Sequence, residues 1–223
     1  MTYVMSDLHG DYKKFLEMVE KINLSEQDIL YILGDVLDYG EESMALINDL
    51  SVRLNVYPIA GEHDFLAARM LKGFDDMLKS GATPDPEYIA EMTQWVQNGG
   101  QSTLDGYRAL DEDGREGVLD YLSEMTLYEE VEINGENYVL LHAGIADYTD
   151  GDLLEDFMPE DFFSAPLDAS RALIKDCTVV AGHVPTASGK IERGEGSILI
   201  DCGVCEGGRL GCLCLETGKE FYV

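Results

Sequence analysis

The stretch Tyr3-Val4-Met5-Ser6-Asp7-Leu8-His9-Gly10 decides the fold class of this 223-residue chain. Three apolar residues run into a polar loop, which is typical of a buried strand that stops at a functional loop. The same arrangement returns at Ile29–Leu33, which runs into Gly34-Asp35. A third run, Val56–Ala60, ends at Gly61-Glu62-His63-Asp64.

Helical spacing of apolar residues fills the intervals between these strands. Phe15, Val19 and Ile22 predict a helix over residues 11–22, and a second helix is predicted over residues 42–54. Strands that alternate with helices at this pace predict parallel strands and an α/β core.

The rest of the chain changes pattern twice. Residues 65–127 lack strand alternation and predict a mostly helical insertion. Residues 128–141 then predict a hairpin around Asn134-Gly135, and further strands are predicted at Thr178–Ala181 and Ser197–Ile200. With no internal repeat and no linker, residues 1–223 are predicted to form a single domain.

Charge and composition exclude several classes of function. The chain has 15 basic and 44 acidic residues, a net charge of -29, which repels nucleic acid and anionic membranes. No apolar run approaches the roughly 20 residues of a membrane span. The first residues leave no room for a signal peptide, so we expect a cytoplasmic protein without membrane or nucleic-acid partners.

The five cysteines lie late in the chain and are expected to be reduced thiols. Cys202 and Cys205, with Cys212 and Cys214, leave a zinc site open as an alternative. Because the second pair alternates within an apolar strand, buried free thiols on one face are the favoured interpretation.

Residues that can bind metal follow five of the predicted strands. Loops at the ends of parallel strands converge on one crevice, so these side chains should meet. They include all four histidines of the chain: Asp7 and His9, Asp35 and Asp38, Glu62 and His63, His142, and His183. An isolated histidine at a strand end is usually structural, but four of four at such junctions favour a shared site.

The chemistry of this set indicates which metals it would take. Carboxylates and imidazoles without thiolates suit manganese, with iron or zinc as alternatives. Two such ions about 3.5–4 Å apart can share a carboxylate and activate a water. We therefore expect two divalent metal ions as cofactors.

The same stretches resemble the five signature blocks of the calcineurin-like metallophosphoesterases. They are residues 6–10, 34–40, 61–64, 142–144 and 182–183. Residues 95–103, and 200–203 with 207–210, resemble two further blocks of the phosphoprotein phosphatase branch. That branch includes bacterial serine/threonine phosphatases and diadenosine tetraphosphatases. The resemblance implies a four-layer sandwich of two mixed β-sheets flanked by helices.

The resemblance also implies roles for the site residues. It implies that Asp35 bridges two metal ions, with the first held by Asp7 and His9 and the second by Glu62, His142 and His183. A metal-bridging hydroxide would then attack phosphorus in line. His63 would protonate the leaving oxygen or bind phosphate, and Asp38 would orient its ring. For Asp38 a helix N-cap is the competing interpretation.

Two positions depart from the family pattern. Glu62 stands where the family has asparagine, and it adds a negative charge, so a salt-bridging residue or a partly disabled site is an alternative to a ligand. Tyr39 stands where the family has an arginine that grips phosphate, and it offers a single hydroxyl in that substrate-binding place.

The predicted function is a two-metal phosphoesterase that hydrolyses phosphate monoesters in a phosphorylated small molecule or a phosphoprotein. The alternatives are a dinucleoside polyphosphate hydrolase and a degenerate metal-binding interaction module. The pair of His63 and Asp38 favours an enzyme, because a module has no need of a proton donor.

Overall fold

Two five-stranded mixed β-sheets form the framework of the chain. A computed structural model describes residues 1–163 and 165–223. The strands are β1 (Thr2–Met5), β2 (Ile29–Leu33), β3 (Val56–Ile59), β4 (Tyr128–Ile133), β5 (Glu136–Leu141), β6 (Thr178–Ala181), β7 (Glu192–Gly194), β8 (Ser197–Leu199), β9 (Gly211–Cys214) and β10 (Glu220–Tyr222). The helices are α1 (Tyr12–Ile22), α2 (Ser43–Leu50), α3 (Glu62–Ser80), α4 (Pro86–Trp95), α5 (Gln101–Arg108) and α6 (Glu112–Ser123).

Each sheet combines a parallel centre with antiparallel edges. The first sheet has the order β10-β9-β1-β2-β3, in which β1, β2 and β3 are parallel. The second has the order β4-β5-β6-β8-β7, in which β5, β6 and β8 are parallel. The predicted architecture of two mixed sheets flanked by helices is confirmed. Because parallel strands end at the same edge, each sheet presents one row of loops.

The face shared by the two sheets is filled with aliphatic side chains. Val4 and Leu33 of the first sheet belong to the same buried cluster as Leu140 and Val180 of the second. All four are fully buried. Full burial of a side chain of this size stabilises the fold by roughly 1.5–3 kcal/mol. This core therefore fixes the two sheets, and their loop edges, against each other.

Helix α1 covers the other face of the first sheet. Asp11 caps its N-terminus by accepting the Lys14 N–H at 2.9 Å, and Asn23 ends the helix in the left-handed conformation. The helix buries Phe15 and Met18 in a cluster with alternate residues of β1 and β2. This amphipathic packing is what the spacing of apolar residues predicts.

The segment between β3 and β4 contains α3 to α6. A π-helical turn at Val96–Gly100 joins α4 to α5. Trp95 and Tyr107 are fully buried in the core that these helices form with α2. Asp75 is also buried, and it pairs with Lys79 at 2.8 Å and Arg115 at 3.0 Å.

Three local features differ from the sequence pattern. Helix α2 ends at Leu50 instead of residue 54, and the apolar side chains of Val52 and Leu54 are exposed instead of buried. The short strand β7 was not predicted. The outer face of the second sheet is covered by loops with short 3₁₀ turns at Leu154–Asp156 and Pro159–Phe162.

The cysteines of the described chain are free thiols. Cys212 and Cys214 lie on one face of β9 and belong to the same apolar cluster, as the favoured interpretation predicts. Among the described residues, no helix combines the length and the apolar character that a membrane span requires.

Candidate metal centre

Two groups of metal-ligand side chains meet where the parallel strands of both sheets end. One group is Asp7, His9 and Asp35, and the other is Asp35, His142 and His183. Within each group the ligand atoms lie within 4.8 Å of one another. Asp35 belongs to both groups. A carboxylate shared in this way can hold two cations side by side.

Imidazole nitrogens surround the shared carboxylate. Nε2 of His142 lies 3.5 Å from Asp35 Oδ2, and Nε2 of His9 lies 3.8 Å from the same oxygen. His183 Nδ1 lies 3.1 Å from His142 Nε2. These separations place His9 and His142 against the same carboxylate oxygen, with His183 next to His142.

Backbone carbonyls fix which nitrogen of two of these rings is protonated. His9 Nδ1–H donates to Leu37 O at 3.2 Å, and His142 Nδ1–H donates to Leu33 O at 2.9 Å. A carbonyl can only accept, so each neutral ring carries its lone pair on Nε2. Hydrogen bonds of this kind orient histidine ligands in metal sites.

Glycines at the strand ends give the ligand side chains room. A Cβ on Gly61 would lie 2.2 Å from Asp35 Oδ1, and a Cβ on Gly182 would lie 2.1 Å from Asp7 Oδ2. No side chain fits at such distances. The glycines of the predicted loop motifs are therefore required by the packing of the carboxylates behind them.

The backbone of the ligand loops is strained. Asp7, His9, Asp35 and His183 all have positive φ angles, of 54°, 44°, 50° and 69°. Such conformations cost about 1–3 kcal/mol each and persist only where the surroundings impose them. Here the surroundings include the bonds from the His183 N–H to the Asp7 carboxylate, at 3.2 and 3.1 Å.

Negative charge is concentrated at the centre of the site. Burial, followed by the charges of Asp201 and Asp35, raises the pKa of Asp7 well above its usual value. Burial also raises the pKa of Asp201 to about 6. For Asp35 burial acts in the same direction, but His142 and its neighbouring imidazoles outweigh it and lower the pKa.

The pKa values of two imidazoles of the site are shifted downwards, in the direction opposite to those of Asp7 and Asp201. Burial lowers the pKa of His9, and burial together with His142 lowers the pKa of His183. Neutral imidazoles and carboxylates gathered in a buried place form a donor set that fits divalent manganese, iron or zinc.

Comparison with known proteins adds to this geometry. The family model of the calcineurin-like phosphoesterases matches residues 2–202. The chain belongs to the calcineurin-like phosphoesterase family. The match covers β1 to β8 and all the residues of the two ligand groups, so the family resemblance of the sequence motifs is confirmed.

Individual relatives of this phosphoesterase are distant. A symmetrical bis(5'-nucleosyl)-tetraphosphatase of Marinomonas sp. (strain MWYL1) is 30% identical over 146 residues, covering 65% of this chain and 44% of that protein. Its counterpart in Buchnera aphidicola (strain APS) is 29% identical over 104 residues, covering 43% and 37%. The chain thus spans less than half the length of these curated relatives.

Solved structures share the fold. A putative diadenosine tetraphosphatase superposes with a TM-score of 0.68 at 19% identity, covering 100% of this chain and 92% of its own. A protein serine/threonine phosphatase from Saccharomyces cerevisiae superposes with a TM-score of 0.61 at 13% identity, covering 97% and 73%. At such identities the likeness shows the architecture alone.

A histidine–aspartate pair flanks the ligand groups of the phosphoesterase. His63 Nδ1 lies 2.7 Å from Asp38 Oδ2, and the His63 backbone N–H donates to Asp35 Oδ1 at 3.0 Å. Burial lowers the pKa of His63, but the Asp38 hydrogen bond and the nearby carboxylates outweigh it and raise that pKa to about 9. Asp38 thus holds the ring of His63 beside the shared carboxylate of Asp35.

Two buried carboxylates of the site were missed by sequence reasoning. Asp64 accepts the backbone N–H groups of Val36 and Leu37 through Oδ1, and that of Gly61 through Oδ2. It thereby ties the loop after β2 to the start of α3. Asp201 follows β8 and is buried beside the ligands, so the rule that found the other strand-end residues would also have found it.

The two unusual residues lie at the rim of the site. Glu62 is exposed in the first turn of α3, and among the described residues it belongs to neither ligand group. It is near enough to His183 to raise the pKa of that ring in part. Tyr39 is 47% exposed, with its ring centre 5.1 Å from that of His9 and 5.2 Å from that of His63.

Proposed function

We propose that this phosphoesterase hydrolyses phosphate monoesters with two divalent cations held by Asp7, His9, Asp35, His142 and His183. The observation that carries the proposal is that Asp35 belongs to both ligand groups while the His63–Asp38 pair lies beside it. Two cations bound there would polarise phosphate oxygens and lower the pKa of a bound water towards about 7.

The side chains of the chain supply the remaining chemistry. His9 and His142 present Nε2 lone pairs towards Asp35, because their Nδ1–H groups are engaged by carbonyls. His63 donates a proton to the leaving oxygen, and Asp38 holds its ring. Both cations are proposed to be manganese, with iron or zinc as alternatives.

The charge around the site supports a monoester over a polyphosphate. A cavity of about 360 Å³ beside His9 is lined by Tyr39, Glu41 and Glu42, among others, and no lysine or arginine is found among its described lining residues. A cavity of about 650 Å³ on the other side of Tyr39 likewise has no described basic lining residue. In these two cavities a long anionic chain would find no cationic side chain. The cavity of about 240 Å³ beside Glu62 has one, Arg69, which is paired with Glu91 at 3.2 Å.

A dinucleoside polyphosphate hydrolase is the second candidate. The observation that favours it is the similarity to the curated relatives, which are named symmetrical bis(5'-nucleosyl)-tetraphosphatases. A degenerate interaction module is the third candidate, and the intact pair of His63 and Asp38 counts against it. The substrates proposed for the enzyme are phosphorylated small molecules or phosphoproteins.

Three substrates separate these candidates. We expect turnover of 4-nitrophenyl phosphate with added Mn²⁺, little turnover of bis(4-nitrophenyl) phosphate, and slower release of nucleotide from diadenosine tetraphosphate. Chelation should abolish all turnover. Faster cleavage of diadenosine tetraphosphate than of 4-nitrophenyl phosphate would show that the protein is a dinucleoside polyphosphate hydrolase and not a phosphomonoesterase.

Two variants assign the roles. His63→Asn should lower kcat on an alkyl phosphate monoester, whose leaving group needs a proton, by about 10²–10⁴-fold, the usual contribution of a positioned acid, without loss of bound metal. Asp35→Asn should remove bound metal as well as activity, measured by elemental analysis. If the unmodified chain held two ions and hydrolysed none of the substrates, the module would be the correct function.

A further inference from the structure

The carboxylate of Asp38 is held on every side by donors. Oδ2 accepts from Nδ1 of His63 at 2.7 Å and from Nε1–H of Trp95 at 2.8 Å. Oδ1 accepts from the hydroxyl of Thr103 at 2.7 Å. Asp38, Trp95 and Thr103 are all fully buried. Hydrogen bonds to an ionised carboxylate are roughly twice as strong as neutral ones, so this arrangement fixes the orientation of the carboxylate.

Both additional donors come from the helical segment between β3 and β4. Trp95 ends α4, and Thr103 lies in α5. The π-helical turn between them brings the two side chains to one carboxylate. A Cβ on Gly100 would lie 2.3 Å from the indole of Trp95, so the glycine is required for the ring to fold back. The helical segment thus reaches the site through two specific contacts.

The same segment stabilises a strained piece of backbone. Asp38 and Tyr39 have φ angles of 71° and 62°, in the left-handed region. The Asp38 N–H donates to the Thr103 hydroxyl at 3.1 Å, and the Tyr39 N–H donates to the Gly99 carbonyl at 2.9 Å. Thr103 therefore holds both the backbone and the side chain of Asp38 in place.

We propose that Trp95 and Thr103 are positioning residues for the leaving-group acid: they lock the Asp38 carboxylate so that it fixes the ring of His63. The proposal rests on the proposed function. With Oδ1 bound by Thr103 and Oδ2 shared by Trp95 and His63, the carboxylate cannot rotate away from the ring. Loss of either donor leaves His63 with a partner that can turn.

The chain offers matched variants. Trp95→Phe removes the indole N–H and keeps an aromatic ring. Thr103→Val removes the hydroxyl at nearly constant shape, and Thr103→Ser restores it. Tyr107→Phe is the control, because the Tyr107 hydroxyl lies in the same helical core and has no hydrogen-bond partner among the described residues.

The first readout is the dependence of rate on the leaving group. An alkoxide needs a proton to leave, whereas 4-nitrophenolate does not. For Trp95→Phe and Thr103→Val we expect kcat on an alkyl monoester to fall about 10-fold, part of the 10²–10⁴-fold that a positioned acid contributes, and kcat on 4-nitrophenyl phosphate to fall by less than about 3-fold. Thr103→Ser and Tyr107→Phe should stay near the unmodified chain.

The second readout does not depend on turnover. The Nδ1–H proton of His63 can be assigned by its loss in His63→Asn, using NMR of the full chain loaded with diamagnetic Zn²⁺. We expect this resonance to shift in Trp95→Phe and Thr103→Val, to return in Thr103→Ser, and to stay in place in Tyr107→Phe.

A resonance that stays in place in both Trp95→Phe and Thr103→Val would overturn the proposal, whatever the rates. Equal losses of kcat on the alkyl monoester and on 4-nitrophenyl phosphate in these variants would also overturn it. Failure of the unmodified chain to hydrolyse either monoester would refute the proposed function instead, and the resonance would still decide whether Trp95 and Thr103 position the ring of His63.

Discussion

Removal of the Asp64 carboxylate should cost this fold a measurable part of its stability. The side chain is 1% exposed and accepts three buried backbone N–H groups: Val36 at 3.0 Å, Leu37 at 3.1 Å and Gly61 at 3.1 Å. Asp64→Ala would leave all three donors without a partner. Asp64→Asn would keep an acceptor for the first two and lose the third.

The magnitude follows from the number of donors. Each buried donor left unsatisfied costs about 1–3 kcal/mol, so Asp64→Ala should lower the free energy of unfolding by at least about 3 kcal/mol. For a chain of this size 1 kcal/mol corresponds to roughly 2–4 °C in Tm, so the expected fall is about 6–12 °C. Asp64→Asn should show about a third of this decrease in Tm, because only one of the three N–H donors loses its acceptor.

Differential scanning calorimetry on chelated protein is the appropriate assay, since it separates the fold from the contribution of bound ions. Asp76→Ala is the matched control: it lies on the same helix and pairs only with Lys72 at the surface, which is worth about 0–1 kcal/mol. If the Tm of Asp64→Ala fell no further than that of Asp76→Ala, the three N–H groups would have other partners and the reasoning would be wrong.

Three further changes have distinct expected outcomes. Gly182→Ala should reduce bound metal from two ions towards one, seen by elemental analysis, because its Cβ would lie 2.1 Å from Asp7 Oδ2; unchanged metal content would contradict this. Asp75→Asn should lower the free energy of unfolding by about 1.5–3 kcal/mol at pH 7. Its basic partners Lys79 and Arg115 hold the pKa of Asp75 below the usual 3.8. The difference in free energy of unfolding between Asp75→Asn and the unmodified chain should therefore shrink as the pH falls below about 4. A difference that did not depend on pH would show that the charge of Asp75 does not stabilise the fold. Glu62→Asn removes a negative charge near His183, so it should raise kcat or change the preferred metal, and an unaltered enzyme would mean that this charge does not act on the site.

The convergence of the site could be predicted because it depends on topology. Asp7, Asp35, His142 and His183 each follow a parallel strand, and parallel strands end at one edge. Asp201 obeys the same rule, although the family block of residues 200–203 does not by itself indicate a place in the site. The pattern of strand ends therefore contained more of the site than the histidines alone suggested.

The remaining features depend on tertiary contacts that a local pattern does not contain. Asp64 has the sequence context of an ordinary acid in the first turn of a helix, and only the packed loops make it an acceptor for three backbones. Trp95 and Thr103 are separated by a π-helical turn, which no periodicity predicts. The spacing predicts that α2 extends to residue 54 because Val52 and Leu54 are apolar, but both side chains are exposed and the helix ends at Leu50.

The left-handed backbone at the site affects how the protein would respond to destabilising substitutions. Among the described residues other than glycine, ten have positive φ, and six of them are Asp7, His9, Asp35, Asp38, Tyr39 and His183. Their conformations persist because the two packed sheets impose them. A substitution that loosens the sheets, however far away, should let these loops relax first. Mildly destabilising substitutions would then weaken metal binding before they lower Tm measurably. Metal affinity would therefore report on destabilisation elsewhere in the fold.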